Sequence, residues 1–162
     1  MAINVKELPD DELENLIENH RRLGATDRPL YMEALKERGA HTGKGLEFEK
    51  SISIISCAAR ERRFLSYMQL AAASGIGWDQ AHFPMNKHLW DLVEYSHRKH
   101  GVLFSAIVVN QSNVVTGEMD PPTLKGFVGA ARKLGYPVTD EEAFLRKQQA
   151  RVFAWRAGHS PL

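Results

Sequence analysis

The chain has 162 residues, 43% of them hydrophobic and 25% charged, with a formal net charge of +1 and Cys57 as its one cysteine. That length bounds one ordinary domain with terminal additions. No apolar run approaches the ~20 residues of a bilayer span, and a single cysteine excludes an internal disulfide. So small a net charge attracts no polyanion by itself, so any nucleic-acid contact must come from a local cluster of Lys and Arg.

Residues 1–10 have neither an apolar core nor a basic leader, so a cytoplasmic protein is expected. Pro9-Asp10 followed by Leu13, Leu16, Ile17, His20 and Leu23 predicts a helix with acids in its first turn and Gly24 at its end. A second helix is predicted from an Asp27 N-cap, with Pro29 in its first turn, Tyr31, Ala34 and Leu35 on one side, and Gly39 as its stop. Gly39, Gly43 and Gly45 then mark a boundary: residues 1–45 form a helical hairpin with a Gly-containing linker, and residues 46–162 the main domain.

Within residues 46–62, Phe48, Ile52, Ile55 and Ala59 share a helical face and Ile54, Cys57 and Ala58 lie on others, which predicts a largely buried helix. Residues 64–66 predict a short strand, and Ser66 caps a helix carrying Tyr67, Leu70, Ala71 and Ala72 up to Gly75. A long turn over 75–84 leads to a helix over 85–100. Its inner face is Met85, Leu89, Leu92, Val93 and Ser96, and it ends on the basic run from His97 to His100 before Gly101.

Residues 103–109 predict a strand covered on both faces, 110–113 a turn, and Val114-Val115 a returning partner strand that ends at Thr116-Gly117. Asp120-Pro-Pro-Thr opens a helix with the stripe Leu124, Phe127, Val128, Ala131 and Leu134, stopped by Gly135 and Pro137. Thr139 with Glu142 predicts a capping box for a last helix, whose Leu145, Gln148, Val152 and Trp155 lie on one side.

The order helix, short strand, helix, helix, ribbon over residues 46–117, together with Leu65-Ser-Tyr-Met-Gln-Leu-Ala, resembles the winged helix-turn-helix superfamily. Ser105-Ala-Ile-Val-Val-Asn with Thr116-Gly117 also resembles a stretch in uncharacterised bacterial proteins, which implies no function. The expected fold is therefore mainly α with a small β-ribbon (α+β): a winged-helix-like centre, an N-terminal helical hairpin and two C-terminal helices. In the resemblance, the helix over 85–100 would be the recognition helix. The turn over 75–84 is longer than the ~3–4 residues of the compact motif.

Helical geometry places Lys87, Asp91, Glu94 and Arg98 opposite the inner face and at four-residue spacing, as two solvated pairs. Two acids on that face oppose a phosphate backbone. The expected function is noncatalytic, regulatory nucleic-acid binding through Arg60, Arg62, Arg63, Lys87, Arg98 and Lys99. The alternatives are a protein-protein interaction module or homodimer, and a small enzyme built on residues 110–120, with Asn110, Glu118 and Asp120 and with Arg132 or a histidine as partner. No cofactor and no metal is implied: Glu94, His97 and His100 fan around one helix, and Cys57 has no companion. Trp78, Phe83 and Trp90 either stack on unpaired bases or plug a core. The acidic N-terminal hairpin is expected to shield a basic surface.

Overall fold

Apolar spacing at the helical period dominates this sequence, and the protein is mainly helical. A computed structural model describes residues 3–26, 28–42 and 46–157. Among them are eight α-helices, three 3-10 turns and one two-stranded sheet. Gly43, Gly45 and the Asp27 cap lie outside the described residues. No helix of the described residues is long and apolar enough to cross a membrane.

Helix α1 (Asp10–Arg22) ends at Gly24, whose left-handed φ of 69° closes the turn. Helix α2 (Pro29–Thr42) runs through Gly39 rather than stopping there. A glycine inside a helix costs only ~1 kcal/mol, which tertiary packing of the flanking turns overrides. Leu13 and Ile17 of α1 meet Tyr31, Ala34 and Leu35 of α2 in the core, so the predicted hairpin forms.

Helix α3 (Phe48–Arg60) starts against the end of α4 (Tyr67–Ala73), where the Ser74 hydroxyl accepts the Glu47 N–H at 2.8 Å. Ser66 caps α4 as expected, in a reciprocal capping box with Gln69. The long turn contains one further short helix, α5 (Trp78–Ala81), ahead of α6 (Met85–His100). Helices α7 (Pro121–Lys133) and α8 (Glu141–Ala157) follow. The residue that caps α8 is Asp140, which accepts the Ala143 N–H at 3.0 Å, and not Thr139. Asp and Thr compete for such a cap, and the neighbour with the carboxylate holds it.

The predicted antiparallel ribbon does not form. Residues Phe104–Ile107 make a 3-10 turn, and only Val108–Val109 (β2) is a strand. It pairs in parallel with Leu65–Ser66 (β1), Leu65 against Val108 and Ser66 against Val109. Parallel pairing needs a crossover, and α4, α5 and α6 supply it.

The reason lies in the accounting of buried backbone groups. Ser96 of α6 accepts the Phe104 N–H at 3.1 Å, and Gln149 of α8 donates to the carbonyls of Ala106 at 3.0 Å and Gly117 at 2.8 Å. Side chains thus satisfy a buried segment that would otherwise need a second strand. Val115, the intended partner, is 90% exposed. Gly117 has a φ of 75°, and a Cβ there would stand 2.3 Å from the Phe64 ring, which itself packs edge-on against Phe153 of α8.

His88 is buried in α6, its Nε2 2.8 Å from the Ser51 hydroxyl of α3 and its ring edge-on to Phe48. Burial lowers its pKa from 6.5 to about 4. Below pH 6.5 the unfolded chain takes up a proton that the folded chain refuses, so stability falls as pH drops from 6.5 to about 4. The expected loss is about 3 kcal/mol at ~1.4 kcal/mol per pKa unit. Urea unfolding at pH 7 and pH 4.5 checks this: His88→Gln should lose clearly less stability than the wild type over that interval.

Candidate functional site

The face of α6 expected to meet solvent is covered by the N-terminal hairpin. Asp91 and Glu94 are buried, and neither pairs with the lysine or arginine four residues away. Glu94 takes a two-pronged bond from Arg21 of α1, at 2.7 and 3.3 Å, with the Tyr31 hydroxyl 3.1 Å from the same guanidinium. Burial alone would lower the Arg21 pKa, but the bonds and charge of Glu94 more than reverse it, so the pKa is raised. Asp91 pairs with Arg38 of α2, which also reaches Glu14 of α1 at 3.2 Å. The surface that the hairpin shields is therefore acidic, and the hairpin supplies the cations. Periodicity marks a face as polar but not as uncovered.

The six expected binding residues do not converge. Arg60, Arg62 and Arg63 are exposed at the end of α3, where Arg62 holds the left-handed position (φ 56°) usually given to glycine and Arg63 pairs with Glu61 at 2.8 Å. Lys87, in the first turn of α6, reaches Glu14 at 3.5 Å. Arg98 and Lys99 are exposed in the last turn, about 16 Å along the helix from Lys87. Lys99 lies 5.9 Å over the Tyr95 ring. Among the described contacts none joins the α3 arginines to either end of α6.

What the fold does assemble is a cleft of about 740 Å³ between α4, α5, α6 and α7. The parallel register creates its floor: Tyr67 follows β1 and Asn110 follows β2, so both leave the same end of the sheet and both line the cleft. This is the carboxyl end of the two strands.

One wall is an aromatic ladder. Tyr67 to Trp78 and Trp78 to His82 are 6.4 and 5.9 Å between centroids, and His82 touches Phe83, outside the lining and 85% exposed, at 4.7 Å. Leu89, Trp90 and Val93 of α6 also line the cleft. Lys133 Nζ lies 5.8 Å over the Trp90 ring at the lip, and the Arg21 guanidinium lies 5.9 Å from the same ring. Helix α7 contributes a stripe of small residues, Gly126, Gly129 and Ala130, that leaves the space open.

Asn110, Tyr67 and Thr123 are among the polar groups that line the cleft. The Asn110 amide donates to Asp120 at 2.6 Å; a carboxylate only accepts, so the NH2 faces Asp120 and the amide oxygen is left for another donor. Asp120 is thus engaged by Asn110 at the start of α7 rather than capping the helix with its side chain. The Tyr67 hydroxyl is pushed up to about 12 by burial and by the Asp120 charge, against a hydrogen bond from Thr123. At neutral pH it is a phenol that can donate. Glu118 is not among the lining residues, and Arg132 is held by the Val138 carbonyl at 3.1 Å and faces Glu141 at 3.7 Å. Of the expected enzyme-type grouping only Asn110 therefore lines the cleft, with Asp120 held at its amide.

Among the described residues no group of three or more His, Cys, Asp and Glu side chains is placed to hold a metal. His97 Nδ1 instead meets the Tyr136 hydroxyl at 2.8 Å, and Glu94 is held by Arg21.

Protein-family models, curated proteins and solved structures give no match to this chain. The cleft and its charges carry the functional reading. Sequence reasoning singled out Trp78, Trp90, Phe83 and Asn110 but passed over Tyr67, His82, Thr123 and Lys133. The one signal for the last two was the Gly126, Gly129, Ala130 spacing, since interior helix glycines cost stability and call for a packing or access reason.

Proposed function

We propose that the protein is a noncatalytic, regulatory nucleic-acid-binding protein that takes an unpaired base into the aromatic cleft. The observation that carries this reading is the lining of one cleft by Tyr67, Trp78, His82 and Trp90, together with the hydrogen-bonding groups Asn110 and Thr123 and with Lys133 over the Trp90 ring. A flat heteroaromatic ring fits such a slot by stacking, which contributes ~1–3 kcal/mol per base whatever the base identity. Asn110 and Tyr67 supply polar contacts for the ring edge, and Lys133 a cation for the adjoining phosphate. A cleft of this volume and mostly apolar lining is of the size that small ligands occupy.

Duplex docking through α6 has no support, because its outward acids are paired beneath α1 and α2. The test is titration of the protein with single-stranded and double-stranded oligonucleotides at two salt concentrations, followed by tryptophan fluorescence. Quenching by the single strand, weaker with the duplex and weakened by salt, is the expected result. Absence of single-strand binding at low salt overturns the reading.

A further inference from the structure

Resting on that reading, we infer that the backbone of the bound single strand leaves the cleft past Lys133 and runs along the C-terminal half of α6 to a second phosphate site made by Arg98 and Arg151. Contacts trace the path step by step. Lys133 stands over Trp90 at the lip, and α7 ends there. Two residues beyond the helix cap, the Tyr136 hydroxyl is 2.8 Å from His97 and its ring is edge-on to the imidazole, so this end of α7 is fastened to α6. Arg98 is the next residue of α6. Arg151 of α8 donates to the Gly101 carbonyl at 2.9 Å, which sets a second guanidinium at the same helix end.

The charges of Arg98 and Arg151 both bear on His97 and, after the larger effect of burial, help hold its pKa below the usual value. The acid that also bears on His97 is Glu94, and it is buried against Arg21.

What sets this strip apart is its continuity with the lip of the cleft, since other exposed cations such as Arg60, Arg62 and Lys125 also have no carboxylate partner among the described residues. Arg21, Arg38, Arg132 and Arg146 each face a carboxylate. Lys133, Arg98 and Arg151 are exposed, and among the described residues none of the three is paired with one. In a chain of net charge +1 such a strip is a local positive field, the pattern that phosphate contacts require. From Trp90 to His97 is about 10 Å along the helix, a span that successive phosphates of a short strand can bridge. The C-terminal carbonyls of α6 favour cations here, and the Gly101 carbonyl holds Arg151 before any ligand arrives.

The experiment compares a nucleoside 5′-monophosphate with single-stranded oligonucleotides of two, three and four residues. It uses the full chain, the Arg98→Ala variant and the Arg98→Ala/Arg151→Ala variant, across a salt series. The expected result is that the three-residue strand binds the wild type at least ~10-fold more tightly than the mononucleotide. In the double variant the slope of log affinity against log salt should fall by about 1.4, at ~0.7 per phosphate contact on a single strand. The mononucleotide affinity should be unchanged. Arg98→Ala alone, which removes no bond to Gly101, should give about half of that change and guards against a folding defect. A mononucleotide that binds with no gain from added length, or a gain that survives in the double variant, overturns the phosphate path while the cleft reading stands. Failure of mononucleotide and oligonucleotides alike overturns the cleft reading and this inference with it.

Discussion

Replacing Asp91 by alanine is expected to destabilise the protein by ~3–5 kcal/mol, a large share of the ~5–15 kcal/mol available to a domain. Asp91 and Arg38 are each 2% exposed, and removal of the acid takes a buried carboxylate away from a buried guanidinium. The cost comes mainly from the stranded charge and not from the lost attraction. Replacing both partners by apolar residues, Arg38→Met with Asp91→Leu, should therefore recover most of the loss. Lys87→Ala breaks an exposed pair with Glu14 and should cost less than ~1 kcal/mol. Urea unfolding of the four proteins measures all three values. A loss below 1 kcal/mol for Asp91→Ala would mean that water reaches the pair.

Gly126→Leu is expected to abolish binding in the cleft while leaving the fold intact or slightly more stable. A Cβ at Gly126 meets nothing within 4 Å, and the residue lines the cleft from the middle of α7. Leucine exceeds glycine in helix propensity by roughly 0.8 kcal/mol, so the melting temperature should hold or rise. The added side chain takes the space that a stacked ring needs, and affinity for a single-stranded oligonucleotide should fall more than ~10-fold, the loss of about one stacked base. Gly126→Ala gives the same backbone gain with far less obstruction and separates the two effects. Retained affinity in Gly126→Leu would place the ligand elsewhere on the molecule.

Local rules governed most of the helices, and those were legible. Apolar spacing found α1, α3, α6 and α7, and the Ser66 cap and the Gly24, Gly75, Gly101 and Gly135 ends follow from backbone chemistry that a sequence displays directly. The misreadings share one physical cause: a partner far along the chain. Asp91 and Glu94 looked solvated because their arginines stand on α1 and α2. Residues 103–109 looked like half of a ribbon because their backbone partners are the side chains of Ser96 and Gln149 and the edge of β1.

The site was legible only in fragments for the same reason. Trp78, Trp90 and Asn110 were visible as residues with something to do. Nothing in their spacing told that a parallel pair would set Tyr67 beside Asn110, or that α7 would bring Lys133 over Trp90.

The small sheet also sets when the protein becomes competent to bind. Helices such as α6 and α7 can form from local contacts early in folding, whereas β1 and β2 meet only after the whole crossover between them has closed. Until that closure Tyr67 and Asn110 are not neighbours, and a partly folded chain rich in helix has no cleft floor. Ligand affinity is therefore a stricter gauge of complete folding than helical content, and a bound ligand suppresses the local openings that begin by parting these two strands.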